Sequence, residues 1–374
     1  MDQIVISGTG VFTPEDSISN EELVKAYNTY AENFNTLNKD SITKGEMEPL
    51  ESSSEDFIFN ASGIKNRYVM DKNGILNPEI MHPILRKRSD DEPSLLAEMA
   101  VKAGKEAMDK AGKGPEDIDA VITACSNLER AYPAVSIEVQ QILGIGGFAF
   151  DMNVACSSAT FGIQAAADMI KSGSAQTILI VDPEVTTGHL DFKDRDCHFI
   201  FGDVCTAILL EKKETAKSNN AFEILSTKCI TQFSNNIRNN FGFLNNANES
   251  KPLDRDLLFM QEGRKVFKEV VPMVSQLIID HLSEEKIDTQ EIKRLWLHQA
   301  NKSMNDFIGK KVLGRVPEDH EQPNILQEYA NTSSAGSIIA FSQYSEDMKE
   351  NDVGVLCSFG AGYSAGSVIL KKLL

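Results

Sequence analysis

Cys156-Ser157-Ser158-Ala159 is answered 176 residues later by Thr332-Ser333-Ser334-Ala335. The apolar run Ile178–Val181 has its counterpart at the same distance, in Gly354–Cys357. Upstream, Asp117-Ile118-Asp119 leads through an apolar run to Ala124-Cys125-Ser126-Asn127. Glu291-Ile292-Lys293 leads likewise to His298-Gln299-Ala300-Asn301, 174 residues on. One short match arises easily by chance, whereas ordered matches at a nearly constant separation imply internal duplication. Outward from these matches, β-branched runs at Ile4–Ser7, Ala120–Ala124, Phe148–Met152, Thr177–Val181 and Thr206–Leu210 predict strands. Arg294–Leu297, Val353–Cys357 and Ser367–Leu370 do the same in the later part, and Pro93–Ala111 and Ser158–Ser172 carry helical periodicity. Short apolar strands alternating with helices predict α/β layers around largely buried sheets. A pseudo-dyad between two such halves brings equivalent loops together at the centre.

Those loops hold the reactive residue types. Cys156 follows a predicted strand and precedes a helix of small residues. A thiol there feels the positive end of the helix dipole, which predicts a lowered pKa and a thiolate. His298 ends a predicted strand in the second half, and Asn331 stands in the loop equivalent to that of Cys156. Cys, His and Asn supply a nucleophile, a proton-handling imidazole and a hydrogen-bonding amide. The same trio serves papain-like proteases, so residue types alone leave the reaction open. The local signature around a protease cysteine is absent. Gly8-Thr9-Gly10 lacks the rest of a dinucleotide fingerprint and reads as a tight turn. The stretch His189–His198 has no familiar metal-ligand spacing, so no metal is expected.

The 374 residues carry a formal charge of −18, from 55 acidic against 37 basic side chains. A surface of that sign argues against nucleic acid and against an anionic membrane. No apolar run reaches the roughly 18 residues needed to span a bilayer, and the N-terminus has no basic, apolar leader pattern. Six cysteines, none in a C-x-x-C pair, are too sparse for a disulfide framework. The expectation is a soluble, cytoplasmic protein with free thiols.

At its motifs the sequence resembles β-ketoacyl-acyl carrier protein synthase III, a condensing enzyme of the thiolase superfamily. The resemblance covers nearly the whole chain. It rests on Ile6–Gly10, Ser62–Arg67, Phe150–Cys156, Phe201-Gly202-Asp203, His298–Asn301, Asn331-Thr332-Ser333 and Phe359–Gly362. It implies a thiolase-like five-layered α-β-α-β-α fold with two duplicated halves, and a homodimer. The halves are expected as 1–210, carrying the nucleophilic Cys, and 211–374, carrying His and Asn. Insertions relative to compact relatives are expected near 27–55 and 71–91, the first acidic and the second mixed. Either they are solvated excursions or they reshape the primer entrance.

The resemblance further implies decarboxylative Claisen condensation of an acyl primer thioester, delivered by CoA or a carrier, with malonyl-acyl carrier protein. It needs no cofactor. Cys156 would form the acyl-enzyme, and His298 and Asn331 would stabilise the enolate. Backbone N–H groups at Cys156 and the Gly360–Ala361 turn would form the oxyanion hole, with Phe359 as a wall. Tyr132 falls where relatives reach into the acyl pocket of the second subunit. Relatives taking acetyl-CoA grip the nucleotide with Trp and Arg where this chain has Phe57 and Ala61; Arg195 matches a second arginine. Lys268, Lys310 and Lys311 match positions implicated in docking the acidic carrier. The alternatives are a specialised condensing enzyme with a medium or long primer, acyl transfer to oxygen or nitrogen, or a non-catalytic subunit, against which the intact trio weighs.

Overall fold

In the computed structural model, residues 3–373 are described. The first half contributes β1 (Ile4–Phe12), β2 (Asp16–Ser19), α1 (Asn20–Leu37), α2 (Lys39–Thr43), α3 (Glu55–Ser62), β3 (Asn66–Val69), α4 (Lys72–Leu76), α5 (Leu95–Ala111), β4 (Ala120–Ala124), α6 (Val135–Leu143), β5 (Phe148–Met152), α7 (Ser158–Lys171), β6 (Thr177–Glu184) and β7 (Val204–Lys212). The second contributes β8 (Phe222–Ser234), β9 (Ile237–Arg238), β10 (Met260–Gln261), α8 (Gly263–Glu284), β11 (Ile292–Leu297), α9 (Lys302–Leu313), α10 (Leu326–Tyr329), α11 (Ala335–Gln343), β12 (Val353–Gly360) and β13 (Gly362–Lys372).

The duplication is visible in strand pairing. β6 lies parallel to β4 and antiparallel to β7, which is antiparallel to β1. β12 repeats this with β11 and β13, and β13 pairs antiparallel with β8. The place of β5 is taken in the second half by the segment at Glu321, whose carbonyl accepts from the Leu295 N–H at 2.7 Å. β1 and β8 share only two register pairs, Val5↔Glu223 and Ile6↔Phe222, so the two sheets meet at one corner of a nine-stranded array. Helices α7 and α11 lie in the core between the sheets, through Ala159, Ile163, Ala335 and Ile339. α5 and α6 cover the outer face of one sheet, and α8 and α9 that of the other. These are the five expected layers.

Three expectations change. β7 runs two residues past the boundary drawn at 210, so the connector between halves is 213–221. β8 and α8 are absent from the sequence reading. β8 is a long, half-exposed strand rich in Ser, Thr and Lys, and α8 contains Pro272. Gly8 and Gly10 are not in a turn: they lie inside β1, where α5 crosses. A β-carbon on Gly10 would sit 1.9 Å from the Ala103 carbonyl oxygen, and one on Gly8 would sit 2.1 Å from that of Ala107.

A fourth core lies outside the five layers. Tyr27, Ala31, Ile75 and Met81, from the two insertion regions, are buried with Leu190, Phe199, Phe201 and Phe259. Ser19 opens α1 with a reciprocal cap to Glu22, and Tyr27 stacks on His198 with ring centroids 4.7 Å apart. Thus these insertions are partly structural rather than wholly solvated, although the acidic stretch Glu46–Glu51 stays exposed apart from Leu50. Backbone meets backbone at Gly10, so side-chain repacking gives no relief. Gly10→Ala should destabilise the fold by at least about 1–3 kcal/mol, read as a lowered denaturation midpoint; a wild-type midpoint would contradict this packing.

Candidate active site

Cys156 closes a short loop between β5 and α7. The loop is pinned by Ala155 N–H to Asn153 Oδ1 (2.9 Å), Val154 N–H to Ser158 Oγ (2.8 Å) and Ser158 Oγ to Ala155 O (2.7 Å). Ala155 adopts φ 48°, a left-handed conformation that a non-glycine residue holds only against strain. The second half clamps this loop: Ser157 Oγ donates to Ser364 O (3.0 Å) and Ser364 Oγ to Val154 O (3.2 Å). Gly360, at the end of β12, faces the cysteine directly. A β-carbon there would lie 2.5 Å from the Cys156 Cβ and 2.9 Å from Sγ, so no other residue fits without displacing the thiol.

His298 follows β11. Its backbone N–H donates to Cys357 O at 2.8 Å, and its carbonyl accepts from Asn305 Nδ2 at 2.9 Å. The ring meets the Phe359 ring at 5.2 Å and 89°, and Nδ1 is buried with no hydrogen-bond partner among the described residues. The neighbouring motif residues are struts. Gln299 Oε1 accepts the Ile325 N–H (3.0 Å), while Asn301 caps α9 and donates to Ala61 O at 2.5 Å.

Asn331 sits between Ala330 at φ 57° and, two residues on, Ser333 at φ 52°. Its backbone bridges to the Phe201 strand segment through Asn331 N–H to Ile200 O (3.0 Å) and Gly202 N–H to Asn331 O (3.1 Å). Its Oδ1 accepts the Ser333 N–H at 2.9 Å; among the described residues its Nδ2 has no partner. Ser333, quoted in the motif but not singled out from the sequence, joins the three. Its hydroxyl faces the Cys156 thiol and its backbone faces the His298 ring.

The electrostatics overturn the expected thiolate. Burial pushes the Cys156 thiol up to about 11, outweighing the Ser333 hydroxyl and the Ala361 and Cys156 N–H groups that favour the anion. Burial also lowers His298 to about 4. Helix α7 begins only at Ser158, so Cys156 lies outside the first turn, where the dipole acts. The resting site therefore holds a neutral thiol and a neutral imidazole, with backbone N–H groups of Cys156 and Ala361 beside the sulfur.

The remaining sequence-predicted residues fall in separate places. Phe57 and Arg195 meet each other: the guanidinium lies 4.0 Å from the ring centroid, and Nε donates to Ser52 O at 2.8 Å. Tyr132 is 85% exposed on the loop before α6. Lys268 is exposed on α8, and Lys310 and Lys311 on α9. These helices touch through Phe267 and Phe307, with centroids 5.5 Å apart. Among the described residues, no cluster of His, Cys, Asp and Glu is arranged to hold a metal, and no helix is long and apolar enough to cross a membrane.

Residues 150–232 match the family model for 3-oxoacyl-[acyl-carrier-protein] synthase III, and residues 282–372 match its C-terminal counterpart. A β-ketodecanoyl-[acyl-carrier-protein] synthase of Pseudomonas aeruginosa is 58% identical over 349 residues, covering 93% of this chain and 100% of its own. A β-ketoacyl-[acyl-carrier-protein] synthase III of Granulibacter bethesdensis is 28% identical, covering 99% and 100%. The crystal structure of the Aquifex aeolicus 3-oxoacyl-[acyl-carrier-protein] synthase III superimposes with a TM-score of 0.77 at 23% identity, covering 98% and 99%. With its thiolase-like layers, this chain belongs to the 3-oxoacyl-[acyl-carrier-protein] synthase III family and is a condensing enzyme of the acyltransferase type.

Proposed function

We propose that this enzyme condenses a medium-chain acyl thioester with malonyl-acyl carrier protein, releasing CO₂ and forming a 3-oxoacyl thioester. The observation that carries the reaction is the meeting of Cys156, His298 and Asn331 around Ser333. The primer length follows from the relative at 58% identity, whose name specifies a 3-oxodecanoyl product. Malonyl condensation adds two carbons, so the matching primer has eight. Carrier or CoA delivers it, and no resident cofactor is needed.

In this mechanism the Cys156 thiol loses its proton as Sγ attacks the primer carbonyl, with His298 as proton acceptor. The N–H groups of Cys156 and Ala361 stabilise the oxyanion. Collapse expels the primer's thiol, which takes that proton, and leaves acyl-Cys156. The malonyl thioester then presents its carbonyl oxygen to neutral His298 and to Asn331 Nδ2. These donors stabilise the enolate as CO₂ departs. The carbanion attacks the acyl-Cys carbonyl, the carbon–sulfur bond breaks, and the thiolate takes up a proton from solvent, the one proton the condensation consumes. A depressed imidazole suits this donor role, since a neutral ring persists throughout the ordinary pH range. Phe57 and Arg195 would form the thioester entrance, and Gly360 and Phe359 the reaction-site wall.

Two surfaces and a setting complete the proposal. Lys268, Lys310 and Lys311 would receive the acidic carrier. The edge strand β5, with Phe148, Ile137 and Ile142 each at least 40% exposed, would meet a second copy of the chain, toward which Tyr132 reaches. The free thiols suit a cytoplasmic setting.

An octanoyl primer should label Cys156 and yield a 3-oxodecanoyl product by mass spectrometry, and Cys156→Ala should abolish both; product formation by that variant would remove the nucleophile. Gly360→Ala should retain the fold yet lose at least about 100-fold in acylation rate, measured by the same labelling under single-turnover conditions. Reversing Lys310 and Lys311 to Glu should raise the apparent KM for malonyl-carrier in a salt-dependent way; an unchanged KM at low salt would remove the docking assignment.

A further inference from the structure

The end of β6 places two acids on one face of the strand, Asp182 and Glu184, each 1% exposed. They stand at the seam of the duplication. Ser334 Oγ, from the second half, lies 2.5 Å from Asp182 Oδ1 and 2.9 Å from Glu184 Oε1. A hydroxyl has one proton, so it donates to one of these oxygens and accepts from the other. One acid must therefore carry a proton.

The remaining donors decide which. Glu184 accepts from the Ser126 N–H (2.9 Å) and Ser126 Oγ (2.5 Å), and lies 3.4 Å from the Ser334 N–H. Ser126 Oγ itself accepts from Asn127 Nδ2 at 2.9 Å, which leaves its proton for Glu184. Besides Ser334 and the neighbouring Glu184 carboxyl, Asp182 has as a donor among the described residues Thr206 Oγ1 at 3.3 Å. The charge thus belongs on Glu184 and the proton on Asp182. The titratable neighbours are Cys125 after β4, Cys205 on β7 and Cys156, with Asp151 on β5 beside Cys125; no lysine or arginine pairs with either acid among the described residues. Burial raises both acids, Asp182 well above the usual carboxyl range and Glu184 to about 7.

We propose that Asp182 and Glu184 are positioning residues for the condensation, a neutral Asp182 and an anionic Glu184 bridged by the Ser334 hydroxyl holding the Asn331–Ser334 loop in register with Cys156. The inference rests on the reaction proposed above. Ser334 follows Ser333, which faces both the thiol and the imidazole, and stands three residues after Asn331. Protonating Glu184 at Oε1 leaves two carboxyl protons directed at one hydroxyl, and protonating it at Oε2 removes the acceptor for Ser126 Oγ. Positioning is therefore lost as pH falls through about 7. Stability runs the opposite way. The folded-state value lies above the unfolded one, so ionising Glu184 costs stability as pH rises.

The experiment compares wild type, Asp182→Asn and Glu184→Gln for melting temperature, acyl-Cys156 formation and the pH dependence of condensation from about pH 6 to pH 9. The amide N–H of D182N replaces the carboxyl proton toward Ser334, so its rate should stay within about twofold and keep the wild-type acid limb. E184Q should lose about tenfold or more in rate, as for a lost charged hydrogen bond, and its acid limb should vanish while its melting temperature at high pH is kept or raised. Equal losses in both variants, or an unchanged acid limb in E184Q, would overturn the proposal. Should E184Q fail to fold, Ser334→Ala keeps both acids and breaks only the bridge; a wild-type rate and profile there would overturn it as well. Wild type that forms acyl-Cys156 yet no 3-oxoacyl product would instead sink the reaction, and this inference with it.

Discussion

Contact between Gly360 and Cys156 sets the distance at which the two halves of this protein meet. The sulfur-bearing loop comes from one half and the turn that faces it comes from the other, and there is no room between them for a methyl group. Everything nearby is arranged to hold that separation. Ser157 and Ser364 exchange hydrogen bonds across the seam, and α7 and α11 fill the space behind with small side chains. Interiors packed to this density transmit small displacements, so the reacting atoms inherit the precision of the core.

Burial also governs the chemistry. It keeps the thiol protonated, the imidazole neutral and the acids of β6 partly protonated, all by penalising charge. Charge then appears only as a reaction proceeds, where fixed N–H groups already point at the site. Preorganised dipoles of this kind do not reorient during the chemical step. Asn331 Nδ2 and His298 Nδ1, without partners among the described residues, belong to the same economy: polar atoms left open in the site are what an incoming carbonyl or proton can use.

Much of this was legible in the sequence where one atom type is required. The Cys156 loop, His298 and Asn331 carry functional atoms that few residues supply, and the duplication exposed their convergence. Strand edges in the buried sheets were legible too: β4 runs as expected from its β-branched composition and β5 from its short apolar, aromatic run. β8 was not, because its polar residues form a strand only once β13 supplies ten register pairs. Gly8 and Gly10 were misread because the helix that requires them lies about 95 residues away in the chain. The thiol's protonation was misread for a related reason. Sequence reveals a helix start nearby, whereas desolvation comes from residues brought in by the fold. Asp182 and Glu184 likewise look like ordinary strand-end acids until Ser334 arrives from the other half.

The fourth hydrophobic core has a different bearing. The segment 190–201 and both insertion regions pack chiefly against one another, while the small sheet of β2 and β3 shares no strand with the main array. This region is in that sense a separate architectural unit, joined to the Cys156, His298 and Asn331 loops through links such as Asn301 to Ala61 and the pairing of Ile200 and Gly202 with Asn331. Residues confined to that unit lie outside the contact between Cys156 and Gly360, so its length and charge are not constrained by that separation.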